Sequence, residues 1–438
     1  MKKLFFALAF IILSSNDTFT QFDPFGLEGI NVNDVKFYSG YLFAATGSGV
    51  YQRYLASPDS TWQHIGLENK KVNVIYLHSV HPVSWAITVG ISPTYSANDS
   101  ALIYTYDILE NSWAITDSGI NRSDITEIRT IDGFPDFGFL KIFAGGDGGL
   151  YRREGNSWYE EIFGTVGYFL LNVVATNLND GSVWIGGETG YFQPYIAKST
   201  DQGNTWTIDY LDLGGDNACN SIEFDSDTNI IYAGMEGVVI KTTDGGISWN
   251  PTTLTNTPFY FYALTFNSLH NILFAGGSTN LNSFGFYWSY DKGETWDSFP
   301  ILDSLALKGI SSMVIVPTNI PEDYQLYLGT FGNGVLRLQV PVSVIKENIL
   351  PQTIRLYQNY PNPFNPSTTF RYSIPVQSKV TIKVYDVLGN EIAALMNEEK
   401  SIGTYELTWN ASNLASGVYF YQLNAGNFNE TKKMILIR

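Results

Sequence analysis

Short apolar runs recur along the whole chain, and turn formers or small residues cut each one off before it reaches helical length. One kind of run ends in Ala or Gly: "LFAATGSGVY" (42–51), "IFAGGDGGLY" (142–151), "VWIGGETGYF" (183–192), "IYAGMEGVVI" (231–240), "LFAGGSTN" (273–280) and "LYLGTFGNGVL" (326–336), with "WAITVGI" (85–91) as a weaker seventh. A second kind lies just upstream of each: "VNDVKFY", "VNVIYL", "ITEIRTI", "LLNVVAT", "NSIEFD", "YALTFN" and "SSMVIV". A Trp lies downstream of six of them, at Trp62, Trp113, Trp158, Trp206, Trp249 and Trp296, spaced by 51, 45, 48, 43 and 47 residues. One unit therefore reads strand, turn, small-residue strand, turn, strand, Asp-containing turn, Trp-led strand. Four short antiparallel strands per unit is the period of a propeller blade.

The seventh unit, 308–340, stops after three strands and lacks a Trp strand. "FDPFGLEGINVNDV" (22–35) reads in parallel with "WQHIGLENKKVNVI" (62–75), so 22–30 is expected to supply the missing outer strand and close the ring. After residue 352 the alternation changes to "TTFRYSI", "KVTIKVYDV", "EIAALM", "GTYELTWN", "GVYFYQLNA" and "KKMILI", the pattern of an Ig-like sandwich. The expected fold is all-β: a single seven-bladed β-propeller (21–340), a linker (341–352) and a small Ig-like β-sandwich (353–438). "MKKLFFALAFIIL" is too short to span a bilayer and reads as a secretory signal peptide over 1–20. No other run approaches membrane length.

Composition sharpens this reading at three points. Aromatics make up 15% of the residues, which favours strands. Net charge is −17, but 353–438 holds 8 basic and 6 acidic residues, so the remainder carries 17 basic against 36 acidic. That acidity argues against nucleic acid or an anionic membrane surface as partner. The lone Cys219 precludes an internal disulfide and reads as a buried thiol; the four His give no metal spacing beyond the weak pair His78 and His81, expected in a loop before Pro82. No cofactor or metal site is expected.

"STDQGNTW" (199–206), "TTDGGISW" (242–249) and "SYDKGETW" (289–296) keep a hydroxyl, an Asp, a Gly and a Trp at fixed offsets. The octet resembles the Asp-box, or bacterial neuraminidase repeat. Its candidate residues are Ser199, Asp201, Gly203 and Trp206; Thr242, Asp244, Gly246 and Trp249; Ser289, Asp291, Gly293 and Trp296. Asp can accept hydrogen bonds from the turn's own amides and Gly supplies backbone freedom, so the octet reads as a structural hairpin turn. The alternative is a calcium or ligand loop, which lacks clustered carboxylates at coordination offsets. The resemblance implies that the turn lies away from the channel mouth. A sialidase would need three convergent Arg; the early Arg-Ile-Pro signature is absent, and the propeller offers only Arg53, Arg122, Arg129, Arg152, Arg153 and Arg337. Xyloglucan-cleaving propellers carry the same box with paired Asp. Asp147, Glu188 and Glu236, after the small-residue runs, are the candidate acid and base residues. "GGLYRREGNSWYE" (148–160) is also similar to the ligand-sensing propellers of two-component regulators.

The segment 353–438 resembles the type A C-terminal sorting domain of the type IX (Por) secretion system of Bacteroidota. The motifs are "NYPNPFNPST" with Asn359, Pro361, Asn362, Pro363, Phe364, Asn365 and Pro366; "VYDVLGNEI" with Tyr385, Asp386 and Gly389; "GVYFYQL" with Gly417 and Tyr419; and "KKMILIR" with Lys432 and Lys433. The resemblance implies export through the periplasm, recognition by the type IX translocon and its sortase, and a final place outside the cell or on its surface. For the propeller, the expectation is a non-catalytic binding or adhesion module for a glycan or protein ligand, with Tyr95, Tyr191 and Tyr287 as candidate stacking residues. The alternative is a secreted glycoside hydrolase.

Overall fold

The structure, a computed structural model, describes residues 22–81, 84–93, 101–134, 141–161, 169–213, 218–255, 257–279, 283–299, 307–318, 323–340, 354–357, 359, 362–401, 403–426 and 428–437. The repeats fold as seven four-stranded antiparallel sheets. The first is Val32–Tyr38, Tyr41–Thr46, Gly49–Tyr54 and Gln63–Gly66, and the next five follow the same order along the chain. The seventh has Ile310–Pro317, Tyr324–Thr330 and Val335–Val340, with Phe22–Pro24 as its fourth strand, Phe22 opposite Leu338. The first strands of successive sheets neighbour one another round a ring, the last against the first. The fold is a seven-bladed β-propeller.

The small-residue runs earn their composition at the blade contacts. A Cβ placed on Gly90, Gly145, Gly186 or Gly276 would lie 2.3, 1.9, 2.5 or 2.8 Å from Ile128, Leu171, Cys219 or Ile310 of the next blade. Gly234 meets the Phe261 carbonyl at 2.6 Å and Gly329 meets Val32 at 2.9 Å. Any larger residue would force neighbouring blades apart. Cys219 is the fully buried residue at this contact in the fifth blade.

The first strand is also bulged at the same place in blades one, two, three, four, six and seven. A bulge leaves one residue outside the ladder and re-aims its side chain. Here the freed side chains tie one blade to the next. Asn33 donates to the Val72 carbonyl at 2.6 Å, Asn73 to the Ile128 carbonyl at 2.8 Å, and Arg129 to Asn172 at 3.1 Å. Asn172 then donates to Asn220 at 3.3 Å, and Ser311 donates to the Val32 carbonyl across the ring closure.

The second compact unit holds two sheets. One is Arg355–Leu356, Ser367–Ile374 and Gly403–Asn410; the other is Glu391–Lys400, Ser378–Tyr385, Gly417–Ala425 and Phe428–Leu436, in that spatial order. Phe370, Tyr372, Val380, Ile382, Tyr421, Leu423 and Met434 fill a shared core.

Candidate functional site

The three octet turns close on themselves. Asp201 accepts the Ser199 hydroxyl at 2.8 Å, the Thr205 amide at 2.8 Å and the Thr205 hydroxyl at 2.6 Å, while Ser199 Oγ accepts the Gly203 amide at 2.7 Å. Asp244 and Asp291 repeat the pattern with Thr242 and Ser248, and with Ser289 and Thr295. The Thr205 hydroxyl and amide, then Ser199, hold the Asp201 carboxyl down at about 2. Hydrogen bonds from Ser248, then Thr242, likewise hold the Asp244 carboxyl below the usual carboxylate range. Gly203 and Gly246 have φ of 91° and 92°, and each lies on an aromatic ring of the preceding blade, Phe143 and Trp184. A cation of that preceding blade fastens each turn: Arg152 to Asn204 at 3.3 Å, Lys198 to the Gly245 carbonyl at 3.0 Å, and Lys241 to the Lys292 carbonyl at 3.1 Å. Trp206 donates to the Gly203 carbonyl at 3.1 Å; Trp249 and Trp296 pack against the blade cores beside it.

The rim carboxylates are less available than their positions suggest. Asp147 accepts the amides of Thr126 and Glu127 at 2.8 and 3.1 Å and also the Thr126 hydroxyl, so it caps the preceding loop. Glu236 forms a backbone bridge with Tyr260 and its carboxylate accepts the Tyr260 hydroxyl. Glu188 sits within the strand Val183–Thr189, opposite Leu170 and Pro194. Of the six Arg only Arg53 and Arg337 come together, both over the Phe25 ring at 3.8 and 5.2 Å. Arg122 pairs with Asp117, Arg129 with Glu127, Arg152 with Glu154 and Glu161, and Arg337 with Asp23, while Arg53 and Arg153 donate to the carbonyls of Phe25 and Gly155. Tyr287 is half-buried against the blade core, edge-on to Phe259 and Phe261. Tyr95 lies outside the described residues, as do the leader, the linker and Pro361. Tyr191 is 91% exposed and Phe192 59% exposed on the hairpin between Val183–Thr189 and Pro194–Ser199. Phe192 has φ of 61°, a left-handed conformation that costs energy in a bulky residue.

Sequence reasoning missed a cluster on the inner strands. Asp34 accepts the Ile75 amide at 3.0 Å, Asp132 the Thr176 amide at 2.8 Å, and Glu223 the Phe266 amide at 3.0 Å; each donor belongs to the next blade. Lys36 stands 3.5 Å from Asp34. The negative charge of Asp34, then of Asp132 and Glu223, raises the Lys36 ammonium above its ordinary value. Burial raises the Asp34 and Asp132 carboxyls and pushes Glu223 up to about 8. Tyr76, 7% exposed, stands on the strand between those of Lys36 and Asp132, stacked on His78. His78 is no loop residue: it lies in the strand Lys71–His81, 1% exposed, and burial lowers it to about 4. Lys36, Tyr76, Asp132 and Glu223 hold the same register position in four blades, opposite Phe43, Thr88, Phe143 and Tyr232, but the residue type changes from blade to blade, so no repeated residue marked them.

The sorting motifs come together in the second unit. Asn359 donates to Thr368 at 2.9 Å and its amide meets the Tyr421 hydroxyl at 2.8 Å. Asn362 accepts the Ile435 amide at 2.9 Å. Phe364 is buried, pairs in parallel with Leu436, and exchanges backbone bonds of 2.9 and 3.0 Å with Ile435 and Ile437. The Pro366 carbonyl accepts the Ala411 amide at 2.9 Å; Pro363 and Asn365 are exposed between these anchors. Asp386 accepts the Leu388 and Asn390 amides at 2.8 and 2.9 Å, and Gly389 completes the turn at φ of 82°. Tyr419 donates to the Ala415 carbonyl at 2.8 Å, Gly417 opens its strand opposite Leu436, and Lys432 pairs with Glu430 at 3.0 Å beside Lys433.

Residues 358–437 match the family model of the secretion system C-terminal sorting domain of the Por type. The chain is a β-propeller cargo of the type IX secretion system. Such a domain directs export to the cell surface or the extracellular space. Among the described residues, no helix is long and apolar enough to cross a membrane. No curated protein is significantly similar in sequence. Among solved structures, the cargo resembles PorZ, a surface component of the type IX system of Porphyromonas gingivalis, at 14% identity and TM-score 0.53, over 93% of this chain and 59% of that one. It also resembles an ancestral GH74 enzyme, at 13% identity and TM-score 0.54, over 72% of this chain and 48% of the enzyme. A third is YCF48 from Cyanidioschyzon merolae, at 12% identity and TM-score 0.51, over 72% and 97%. The chain thus spans about half to three fifths of the first two, and at these identities the likeness is one of fold.

Proposed function

We propose that the propeller is a non-catalytic binding module, presented outside the cell for a glycan or protein ligand. The observation that carries this is the hairpin at Tyr191 and Phe192. Two adjacent aromatic rings are held in solvent by a strained backbone, and neither is needed for packing. Hairpins of this kind, between second and third strands, ring one mouth of a propeller, where loops from every blade converge on a ligand. The rim carboxylates support binding over hydrolysis, because Asp147 is occupied as a loop cap and an acid–base couple needs free, facing groups.

A glycan array probed with the secreted protein, beside a polysaccharide hydrolysis assay, tests the proposal. The expected result is saturable binding without turnover, weakened about tenfold or more when Tyr191 and Phe192 are both changed to Ala. Product release that is lost in Asp147→Asn or Glu236→Gln would establish the hydrolase instead.

A further inference from the structure

One position of the propeller is released from the task its counterparts perform. The residue set free by the first-strand bulge is Asn33, Asn73, Arg129, Asn172 or Ser311, and Asn220 holds the same register position in blade five. Asn33, Asn73, Arg129, Asn172 and Ser311 each hydrogen-bond to the next blade. In blade six the position belongs to Tyr262, between Tyr260 and Ala263. Among the described residues Tyr262 makes no such tie. Its ring lies nearly parallel to Tyr260, at 6.0 Å and 8°, and edge-on to Phe331 of blade seven, at 5.6 Å and 80°.

Register places this group at the mouth that carries Tyr191 and Phe192. Tyr260 opens the first strand of blade six, opposite Ser278 at the end of the second. At that end, the hairpins between second and third strands hold Glu236 in blade five and Phe331 in blade seven. Glu236 bridges Tyr260 through the backbone and accepts its hydroxyl, and Phe331 bridges Asn31. Tyr260, Tyr262, Phe331 and Glu236 are all partly exposed. Lys308, fully on the surface, lies along Gly332 beside Phe331, where a Cβ would meet it at 3.0 Å.

We propose that Tyr260, Tyr262 and Phe331, with Glu236, form a subsite for a sugar ring of a neutral glycan. The inference rests on the reading of the propeller as a binding module and narrows its ligand. A pyranose turns a C–H face to an aromatic ring and carries hydroxyls round its edge. The Glu236 carboxylate keeps acceptor capacity for such hydroxyls beyond the one it takes from Tyr260. Glu236 and Lys308 put both signs of charge beside the rings, which disfavours a strongly charged ligand of either sign. A peptide added as a strand needs unpaired backbone, and the Glu236–Tyr260 and Asn31–Phe331 bridges already use it here. Tyr191 and Phe192 stand on blade four of the same mouth, so the aromatic groups of blades four, six and seven suit a chain of sugars over a single one.

The test titrates the secreted protein calorimetrically with neutral cello-, xylo-, manno- and malto-oligosaccharides and follows any release of shorter products. Tyr262→Asn puts in the residue type found at Asn33, Asn73, Asn172 and Asn220, so the variant should keep the parent's thermal midpoint. It should weaken binding of the sugar that the parent takes about tenfold or more, as should Phe331→Ala. Leu109→Ser, in a turn at the opposite end of the ring, should bind as the parent does. Thermal unfolding checks that each variant is folded, and one folded variant suffices. Parent-like affinity in folded Tyr262→Asn or Phe331→Ala would overturn the subsite. A parent that binds none of these sugars would also overturn it, while a protein ligand at Tyr191 and Phe192 would still satisfy the binding reading. Turnover of a sugar, with KM raised in Tyr262→Asn, would uphold the subsite and overturn the non-catalytic reading alone.

Discussion

Two sets of carboxylates in this propeller perform the same task in opposite surroundings. Asp201, Asp244 and Asp291 lie in outer turns and accept bonds from their own octet. Asp34, Asp132 and Glu223 lie on inner strands and accept an amide from the next blade. Hydrogen bonding in water favours the charged form, so Asp201 and Asp244 are more acidic than usual. Burial disfavours it, so the inner three are less acidic although their amide contacts are equivalent. A hydrogen-bonded acid is thus a turn device or a blade strut according to the water around it. Identical chemistry carries no fixed meaning without its depth.

The inner set should be the costlier to break. Asp132→Ala strands the Thr176 amide, leaves the Thr176 hydroxyl only the Gly133 carbonyl, and removes one counter-charge of Lys36; we expect a loss of about 2–3 kcal/mol in denaturant unfolding. A loss no greater than that of an outer Asp would erase the distinction. Lys36→Met leaves buried Asp34 and half-buried Asp132 and Glu223 without their cation, so its destabilisation should be larger at pH 8 than at pH 5.

The pH dependence has opposite signs in the two sets. Glu223, raised from 4.5 to about 8, favours the folded state fully below 4.5 and loses that contribution as pH rises through about 8. Thermal midpoints should therefore fall over that interval, and Glu223→Gln should flatten the fall. Asp201, lowered from 3.8 to about 2, contributes above 3.8 and loses its contribution as pH falls through about 2. The smallest effect belongs to Asp244→Ala: a modest drop in midpoint at pH 7, with ligand binding unchanged in the folded variant. Binding lost without loss of stability would turn the octet from a fastening into a site.

The tryptophans show how the outer fastening varies. Trp62, Trp113 and Trp158 donate to Phe25, Ile65 and Thr116 of the preceding blade at 2.8, 2.7 and 2.7 Å. In the complete octets Trp206 turns its N–H to its own turn, the buried Trp249 and Trp296 N–H groups make no such bond, and Arg152, Lys198 and Lys241 supply the ties between blades. The repeated Trp was legible in the sequence; its change of partner was not, because the partner lies in another blade.

The sequence by itself determined what is periodic or contiguous. The blade unit follows from alternation, the crowded contacts from Gly and Ala, and the sorting address from motifs written in single stretches. These signals survive in one dimension because local hydrogen bonding and side-chain volume act within a few residues. Only the tertiary structure decided which residues face one another across blades and strands. It set Tyr287 edge-on to two Phe rings, placed His78 on an inner strand, gathered Lys36 with three carboxylates, and brought Tyr385, Val418 and Ile435 to one sheet end. Those groupings depend on ring closure and strand register, which set depth, field and neighbours at separations no local pattern encodes.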